Sequence, residues 1–172
     1  MTAGLVVWLT GLPRAGKSTL AGAVRARLVA RGRPSLILDG DEVRKALSPS
    51  PGYDRASRDD FYTTLGRLAA LIARQGFIVL VPATAHRRVY RDTTRDLAPA
   101  FIEVHVATPL ADCVHRDPAG LYASGAHAAL PGIGVEYEAP LRPEVVARGG
   151  HDSTAVDAIV ELIDRRPPAR SR

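Results

Sequence analysis

A glycine-rich pattern near the N-terminus constrains the fold of this chain more than any other feature. Residues 11–18 read Gly-Leu-Pro-Arg-Ala-Gly-Lys-Ser, which matches the pattern G-x-x-x-x-G-K-[ST]. A short apolar run, Leu5–Thr10, precedes the pattern and predicts a buried strand, and the apolar spacing of residues 17–31 predicts a helix after it. A chance match is the alternative, but a strand, a glycine-rich loop and a helix in this order are typical of a phosphate-binding loop.

The composition of the loop indicates how it would hold a nucleotide. Its glycines allow the backbone to curl so that N–H groups point at phosphates, and the helix that follows adds its positive end. Lys17 is placed to reach the β- and γ-phosphates, and the Ser18 hydroxyl suits Mg²⁺. Pro13 has no N–H, so the backbone donors must come from Arg14 onward. We therefore expect ATP and Mg²⁺ as cofactors. The expected nucleotide-binding residues in the loop are Gly11, Arg14, Ala15, Gly16, Lys17, Ser18 and Thr19, and for Arg14 the alternative is a solvated loop arginine.

The alternation of strands and helices along the chain predicts an α/β fold. The expected strands are Leu5–Thr10, Ser35–Leu38, Phe77–Val81, Phe101–Val106 and a weak fifth, Val145–Ala147. The expected helices are Lys17–Arg31, Glu42–Leu47, Ser57–Arg74, Arg87–Leu97, Leu110–Arg116 and Ser153–Asp164. Ser57 and Asp60 resemble a capping box at the start of the third helix. This pattern is typical of a phosphate-loop NTPase-type parallel sheet of about five strands with helices on both faces. Residues 1–164 form the single expected domain, and residues 165–172 an expected disordered tail.

Composition narrows the classes of function. The 172 residues are 46% hydrophobic, which is typical of one globular domain. Cys113 is the single cysteine, so no internal disulfide can form and a reducing cytoplasm is expected. No apolar run reaches the roughly 18 residues of a membrane span, so no membrane partner is expected. The net charge of +5 comes from scattered arginines without interleaved aromatics, so nucleic-acid binding is not expected either.

Two carboxylates follow the second strand, in the segment Asp39-Gly-Asp41. Ligands of α/β sheets gather at the carboxyl ends of strands, which places these side chains near the phosphate loop. One of them could hold Mg²⁺, with Ser18 as its neighbour, and the other could accept the proton of an acceptor hydroxyl. Which carboxylate does which is open, and capping of the next helix is the alternative for Asp39. The predicted catalytic residues are Lys17, Asp39 and Asp41, and the predicted metal ligands are Ser18 and Asp39.

A set of short motifs in a fixed order resembles the adenylyl-sulfate (APS) kinase family. The motifs are Trp8-Leu-Thr-Gly-Leu12, Ala15-Gly-Lys-Ser-Thr19, Leu38-Asp-Gly-Asp-Glu-Val-Arg44, Gly52-Tyr53, Ser57-Arg58, Arg116-Asp117, Gly120-Leu-Tyr122 and Tyr137-Glu-Ala-Pro140. Only the phosphate loop is generic; the set is specific and extends from residue 4 to about residue 164. The resemblance implies an α/β kinase that phosphorylates the 3′-hydroxyl of adenylyl sulfate with Mg-ATP and usually dimerises. It implies a small-molecule hydroxyl acceptor as partner, and a homodimer.

The resemblance also implies roles for particular residues. Asp41 would be the acidic residue nearest the reacting hydroxyl, and Arg44 and Arg58 would hold the anionic group of the acceptor. Tyr53, where the family has phenylalanine, would stack on the acceptor's base. Arg116 would lie against the adenine of ATP. A lid is expected over residues 117–137.

Departures from the family pattern gather on the acceptor side. Phe61 stands where the family has asparagine, Thr63 and Thr64 where it usually has arginines, and Ala119 where it usually has lysine. Residues 82–85 read Pro-Ala-Thr-Ala where the family has a Ser-Phe-Ile-Ser-like run, and the lid is shorter than usual. Hydrogen bonds to charged groups contribute about 1.5–3 kcal/mol each, so several losses would weaken an adenylyl-sulfate site. These departures predict a kinase whose acceptor differs from adenylyl sulfate, with Phe61 in the acceptor site. An authentic adenylyl-sulfate kinase and a nucleotide-binding protein that has lost catalysis are the alternatives.

Overall fold

One parallel sheet forms the centre of the protein. The computed structural model describes residues 4–118, 120–123 and 129–166. The strands are β1 Leu5–Thr10, β2 Ser35–Ile37, β3 Ile78–Pro82, β4 Phe101–Val106 and β5 Val145–Ala147. They lie in the order β2-β3-β1-β4-β5, and each neighbouring pair is parallel. The predicted α/β class with a parallel sheet is confirmed.

Helices cover both faces of this sheet. They are α1 Lys17–Ala30, α2 Gly40–Ala46, α3 Arg55–Arg74, α4 Arg88–Leu97, α5 Leu110–His115 and α6 Ser153–Asp164. Successive side chains of a strand point to opposite faces. Leu5, Val7 and Leu9 of β1 accordingly pack in the cluster that contains the apolar residues of α1 and α6. Val6 and Trp8 pack in the second cluster, with apolar residues of α3. β1 is buried on both faces and is the middle strand of the five. The loop after it therefore leaves from the middle of the sheet.

The start of α3 corrects one expectation from the sequence. The N-cap is Asp54, whose carboxylate accepts the Ser57 N–H at 3.0 Å and the Ser57 hydroxyl at 2.5 Å. The predicted capping box at Ser57 and Asp60 is therefore wrong. Ser57 already lies in the first turn, and its hydroxyl is engaged by a carboxylate that suits the positive end of the helix.

β1, β4, β5 and α6 have the predicted bounds, and the bounds of the other elements differ from the predicted ones by one or two residues. The largest difference is at α2, which begins at Gly40 because Asp39 caps it. β3 includes Pro82, which lies opposite Leu9 of β1 in the parallel register. No helix among the residues that the structure describes is long and apolar enough to cross a bilayer. Residues 167–172 of the predicted tail lie outside the described part, whereas the Arg166 guanidinium donates to the Phe101 carbonyl at 2.8 Å.

Candidate active site

The phosphate loop is packed closely against the loops that leave neighbouring strands. A Cβ on Gly11 would lie 2.5 Å from the carbonyl oxygen of Val106, at the end of β4. Gly16 has φ 100°, and a Cβ there would lie 2.6 Å from the backbone nitrogen of Gly150. Glycine is required at both positions because any side chain would collide with backbone. The loop is thereby held in place by the segments that follow β4 and β5.

Within the loop, one of the expected backbone donors is already engaged. The Ala15 N–H donates to the Leu12 carbonyl at 3.1 Å and closes a tight turn. The Ala15 carbonyl in turn accepts the hydroxyl of Thr108 at 2.7 Å. Ala15 therefore fixes the shape of the loop in this structure. Thr19 lies in the first turn of α1, where its Cβ is 2.9 Å from the position of a Cβ on Gly150.

Lys17 is half-buried, and its ammonium group curls back on the loop. Nζ donates to the carbonyls of Gly11 at 3.1 Å and Leu12 at 2.7 Å. Burial lowers the pKa of Lys17 to about 8, and the carboxylates of Asp41 and Asp39 oppose this shift. The structure thus brings the loop lysine and both predicted carboxylates into one electrostatic neighbourhood.

Asp39 performs both functions that the sequence left open as alternatives. Its Oδ1 accepts the N–H groups of Asp41 at 2.9 Å and Glu42 at 3.4 Å, which caps α2. Its Oδ2 accepts the Ser18 hydroxyl at 2.5 Å. Hence the cap geometry itself aims one carboxylate oxygen at the phosphate loop.

The oxygens of Ser18 and Asp39 form a donor set of the kind that Mg²⁺ prefers. In the described part of the chain, no three His, Cys, Asp or Glu side chains lie together as a metal-binding group. A metal held here would therefore need further oxygen ligands from outside the protein, such as phosphates and water. The residues present fit such a site.

Arg44 lies between two aromatic rings. Its guanidinium carbon is 4.5 Å from the centroid of the Tyr53 ring and 3.9 Å from that of Phe61. Nη1 donates to the carbonyls of Pro51 at 3.0 Å and Gly52 at 2.7 Å. Arg44 is 5% exposed. Its charge is therefore largely engaged within the protein.

Arg58 also lies near the Tyr53 ring. Its guanidinium carbon is 5.8 Å from the Tyr53 centroid, and Nη2 donates to the Ala129 carbonyl. Tyr53 itself is 59% exposed, whereas Phe61 is 2% exposed. The structure brings all four of these predicted acceptor-site residues together around the Tyr53 ring.

The segment after β3 contains two features that the sequence did not reveal. Ala85 has φ 40°, an uncommon backbone conformation for a residue with a side chain. His86 is 6% exposed, and its buried Nδ1 has no hydrogen-bond partner among the described residues. Burial, together with Arg58 and Arg87, lowers the pKa of His86 to about 4, so its imidazole is neutral at pH 7. Strain and unpaired polar atoms of this kind gather at functional sites, but neither has a local sequence signature.

Thr10, the last residue of β1, joins this segment to a distant part of the chain. Its hydroxyl donates to the Thr84 carbonyl at 2.6 Å and lies 3.0 Å from the Tyr137 hydroxyl. Tyr137 is close in sequence to Glu138, whose N–H donates to the His86 carbonyl at 2.7 Å. The end of the predicted lid and the residue after it are thereby tied to the carboxyl ends of β1 and β3.

A second network ties the phosphate loop to the beginning of the predicted lid. Arg14 has φ 64°, and its Nε lies 3.4 Å from Oδ1 of Asp117. Oδ2 of Asp117 accepts the Tyr122 N–H at 2.6 Å, and the Tyr122 hydroxyl donates to the Pro13 carbonyl at 2.8 Å. Burial raises the pKa of Tyr122 to about 12. Asp117 was not among the predicted site residues, although the Asp-Pro step with glycine two residues later is a turn signal.

Comparison with known proteins identifies the family. The family described as Adenylylsulphate kinase matches residues 3–148. The chain belongs to this family. It is 42% identical over 163 residues to the adenylyl-sulfate kinase of Vibrio vulnificus strain YJ016, with coverage of 92% of this chain and 78% of the relative. It is 43% identical over 164 residues to that of Synechococcus sp. strain JA-3-3Ab, with coverage of 94% and 90%.

A solved structure supports the same assignment. The Mycobacterium tuberculosis APS kinase CysC in complex with AMPPNP and APS superimposes with a TM-score of 0.85 and 33% identity, covering 95% of this chain and 99% of that one. The resemblance found in the sequence is confirmed. The protein is an ATP-dependent kinase of the adenylyl-sulfate kinase type, a phosphotransferase with a hydroxyl group as acceptor and a small molecule as substrate.

Two predicted features of this APS kinase-type site remain to be placed. Arg116 ends α5 and is exposed, and its Nη1 lies 3.8 Å from the position of a Cβ on Gly149. Gly149 precedes Gly150, which packs on the phosphate loop, so Arg116 lies on the nucleotide side. Ala119 lies outside the described residues, as do residues 124–128 of the predicted lid.

Proposed function

We propose that this kinase transfers the γ-phosphate of Mg-ATP to a hydroxyl of an anionic or aromatic small molecule other than adenylyl sulfate. The observation that carries the proposal is the Phe61 ring stacked on the guanidinium of Arg44. Phe61 occupies a position where the family has an amide, and it covers one of the two arginines that an anionic acceptor would need.

The nucleotide half of the reaction rests on the phosphate loop. Lys17 donates to two loop carbonyls, and the phosphates of ATP would take their place. Arg116, beside the loop after β5, would lie against the adenine. Ser18 and Asp39 would hold Mg²⁺ between them, and the ion would offset negative charge on the phosphates.

Asp41 is the better candidate for the base that accepts the hydroxyl proton. Both oxygens of Asp39 are engaged, one by two backbone N–H groups and the other by Ser18. Asp41 lies in the exposed first turn of α2, close enough to Lys17 to influence its pKa. A carboxylate with this placement can orient the acceptor hydroxyl toward the γ-phosphate and receive its proton.

The contacts of the two acceptor-site arginines favour an acceptor other than adenylyl sulfate. Arg44 donates to two backbone carbonyls, and its guanidinium carbon lies within 4.5 Å of the centroids of two aromatic rings. Arg58 donates to the Ala129 carbonyl. An anionic group would have to displace these partners to gain contacts that contribute about 1.5–3 kcal/mol each. Tyr53 remains accessible, so an aromatic acceptor that stacks on its ring fits the site better than one that depends on two free arginines.

An authentic adenylyl-sulfate kinase is the second candidate. It is favoured by identities above 40% to relatives with that name and by the presence of Arg44, Arg58 and Tyr53 at the matching positions. The two candidate functions predict different values of one quantity, kcat/KM for adenylyl sulfate.

The deciding experiment measures kcat/KM of the purified protein for adenylyl sulfate and for a panel of hydroxylated anions and aromatics, following ADP release. We expect a value for adenylyl sulfate far below about 10⁴ M⁻¹s⁻¹, which is ordinary for a good enzyme, while Mg-ATP binding is intact. Phe61→Asn should raise this value, and Ala119→Lys in addition should raise it further. Phe77→Asn is the matched control, because Phe77 lies at the opposite end of β3 and is 39% exposed. A value at or above about 10⁴ M⁻¹s⁻¹ for the unchanged protein would establish the authentic enzyme instead.

A further inference from the structure

A buried carboxylate oxygen beside the phosphate loop lacks a hydrogen bond. The Asp117 side chain is 2% exposed. Its Oδ2 accepts the Tyr122 N–H, but no hydrogen-bond partner of Oδ1 is found among the described residues. The nearest compensating charge is Arg14, whose Nε lies 3.4 Å away, beyond an ordinary hydrogen bond but within ion-pair distance. Because a buried carboxylate without compensation is costly, this oxygen has a specific need for the Arg14 cation.

Arg14 itself is held in an unfavourable backbone conformation. Its φ of 64° lies in the left-handed region, which glycine adopts readily and long side chains rarely do. Such conformations persist where surrounding structure imposes them, and they gather at ligand-binding segments. Here the surrounding structure is the turn from Leu12 to Ala15 together with the Asp117 carboxylate.

The geometry leaves one end of the Arg14 guanidinium available. A guanidinium has five N–H donors in a planar fork, and Asp117 approaches it at Nε. The side chain is 39% exposed and belongs to the loop whose backbone surrounds the phosphate site. A planar fork fixed at one edge presents its terminal nitrogens in a defined direction, which suits two phosphate oxygens.

We propose that Arg14 is a second cation of the phosphate loop, which binds the β- and γ-phosphates of ATP through its terminal guanidinium nitrogens, and that Asp117 is the residue that positions it. The proposal rests on the use of ATP by this kinase and not on the identity of its acceptor. Because Tyr122 binds both Asp117 and the Pro13 carbonyl, the same contacts keep the beginning of the lid beside the phosphates.

The test uses the affinity for Mg-ATP, measured by isothermal titration calorimetry, together with the unfolding temperature. Arg14→Gly removes the side chain and places at φ 64° the one residue that adopts it without strain. We expect Mg-ATP to bind about tenfold more weakly or worse, since such charge-assisted contacts are among the strong ones, with an unfolding temperature at or above that of the unchanged protein. Arg14→Lys should weaken Mg-ATP binding less than Arg14→Gly does, because it keeps the positive charge. Arg165→Ala, at the far end of α6, removes an equal charge and should leave the affinity unchanged.

The positioning role of Asp117 has its own readout in a double-mutant cycle. Asp117→Asn alone should weaken Mg-ATP binding several-fold, but it should add nothing in the Arg14→Gly background, because its effect acts through Arg14. Fully additive losses would overturn the positioning role, and Arg14→Gly with affinity within twofold of the unchanged protein would overturn the proposal as a whole. Failure of the ATP assignment itself would look different, because then the unchanged protein would show no saturable binding of Mg-ATP.

Discussion

The two halves of the candidate site use positive charge in opposite ways. On the proposed nucleotide side, Lys17 is half-buried, and its two hydrogen bonds found in the described part of the chain go to carbonyls of its own loop, which a phosphate can replace. On the acceptor side, Arg44 and Arg58 are 5% and 7% exposed and are engaged by aromatic rings and backbone carbonyls. The nucleotide side is therefore ready for an anion, whereas the acceptor side has its cations built into the protein.

This contrast indicates which part of the function is general and which is particular to this chain. A triphosphate needs the same contacts in any kinase with this loop, so the contacts proposed for Lys17, Ser18 and Asp39 with Mg-ATP would be common to all of them. The acceptor differs from one kinase to another, and it is there that Phe61 replaces a polar residue of the family pattern. The predictions below test one half at a time.

The largest effect is expected at Lys17. Lys17→Ala should lower turnover by at least a hundredfold, on the order of the loss when a transition-state contact to charge is removed. The fold should survive, since both hydrogen bonds of Nζ found among the described residues go to the loop itself. Lys17 and Lys45 are the only lysines, and Lys45 is exposed and paired with Glu42, so Lys45→Ala is the matched control. Both are measured by steady-state ADP release and thermal unfolding. Normal turnover of Lys17→Ala would show that catalysis does not depend on the Lys17 charge. The contrast drawn between the nucleotide side and the acceptor side would then be wrong.

The next effect separates the two functions of Asp39. Asparagine caps helices about as well as aspartate, but it is a much poorer ligand for Mg²⁺. Asp39→Asn should therefore keep the unfolding temperature while it lowers turnover roughly tenfold to a hundredfold and raises the Mg²⁺ concentration needed for half-maximal activity. Asp39→Ala should lose the cap as well and unfold at lower temperature. Equal Mg²⁺ requirements for Asp39→Asn and the unchanged protein would show that Asp39 only caps α2.

The features that could be predicted from the sequence alone divide in the same way, between the nucleotide side and the acceptor side. β1, β4, β5 and α6 have the predicted boundaries, and the phosphate loop lies where its pattern placed it, because these signals are local in the chain. The predicted start of α3 was wrong because Asp54 and Asp60 each lie three residues from Ser57, and only the structure shows that Asp54 is the cap.

The contacts on the acceptor side could not be predicted from the sequence for a different reason. The stacking of Arg44 between Tyr53 and Phe61, the strained Ala85 and the buried His86 arise from contacts between α2, α3 and the segment after β3. No spacing rule connects residues so distant in sequence. A family resemblance named Arg44, Tyr53 and Arg58, but it gave no sign that the arginines are engaged within the protein.

A smaller effect is expected at Tyr53, on the acceptor side only. Its ring is 59% exposed and lies over both arginines. Tyr53→Ala should raise KM for the best acceptor of the panel several-fold and leave KM for ATP unchanged, because a stacking platform contributes to binding and not to phosphate contacts. Tyr53→Phe keeps the ring and is the matched control, with values near those of the unchanged protein. An equal rise in both KM values would mean that the two halves are coupled through this ring.

The smallest effect is a proton taken up when ATP binds. Burial lowers the pKa of Lys17 to about 8 in the free protein, against the influence of Asp41, Cys113 and Asp39. Phosphates favour the charged ammonium, so binding raises this pKa. Lys17 is therefore protonated in both states well below pH 8, whereas above pH 8 the free protein has lost the proton that the complex needs. The affinity for ATP should fall as the pH rises above 8 and be insensitive to Lys17 below about pH 7.

Calorimetry in two buffers of different ionisation enthalpy measures this uptake directly. With a pKa of about 8, a substantial part of the Lys17 side chains is neutral at pH 8.5, so binding should take up a measurable fraction of a proton there and less at pH 7. Burial raises the pKa of the neighbouring Cys113 thiol, which keeps it protonated and out of the titration. Lys17→Arg supplies the control, because a guanidinium remains charged and its complex should take up no proton at pH 8.5. Uptake that persists in Lys17→Arg would assign the proton to another group.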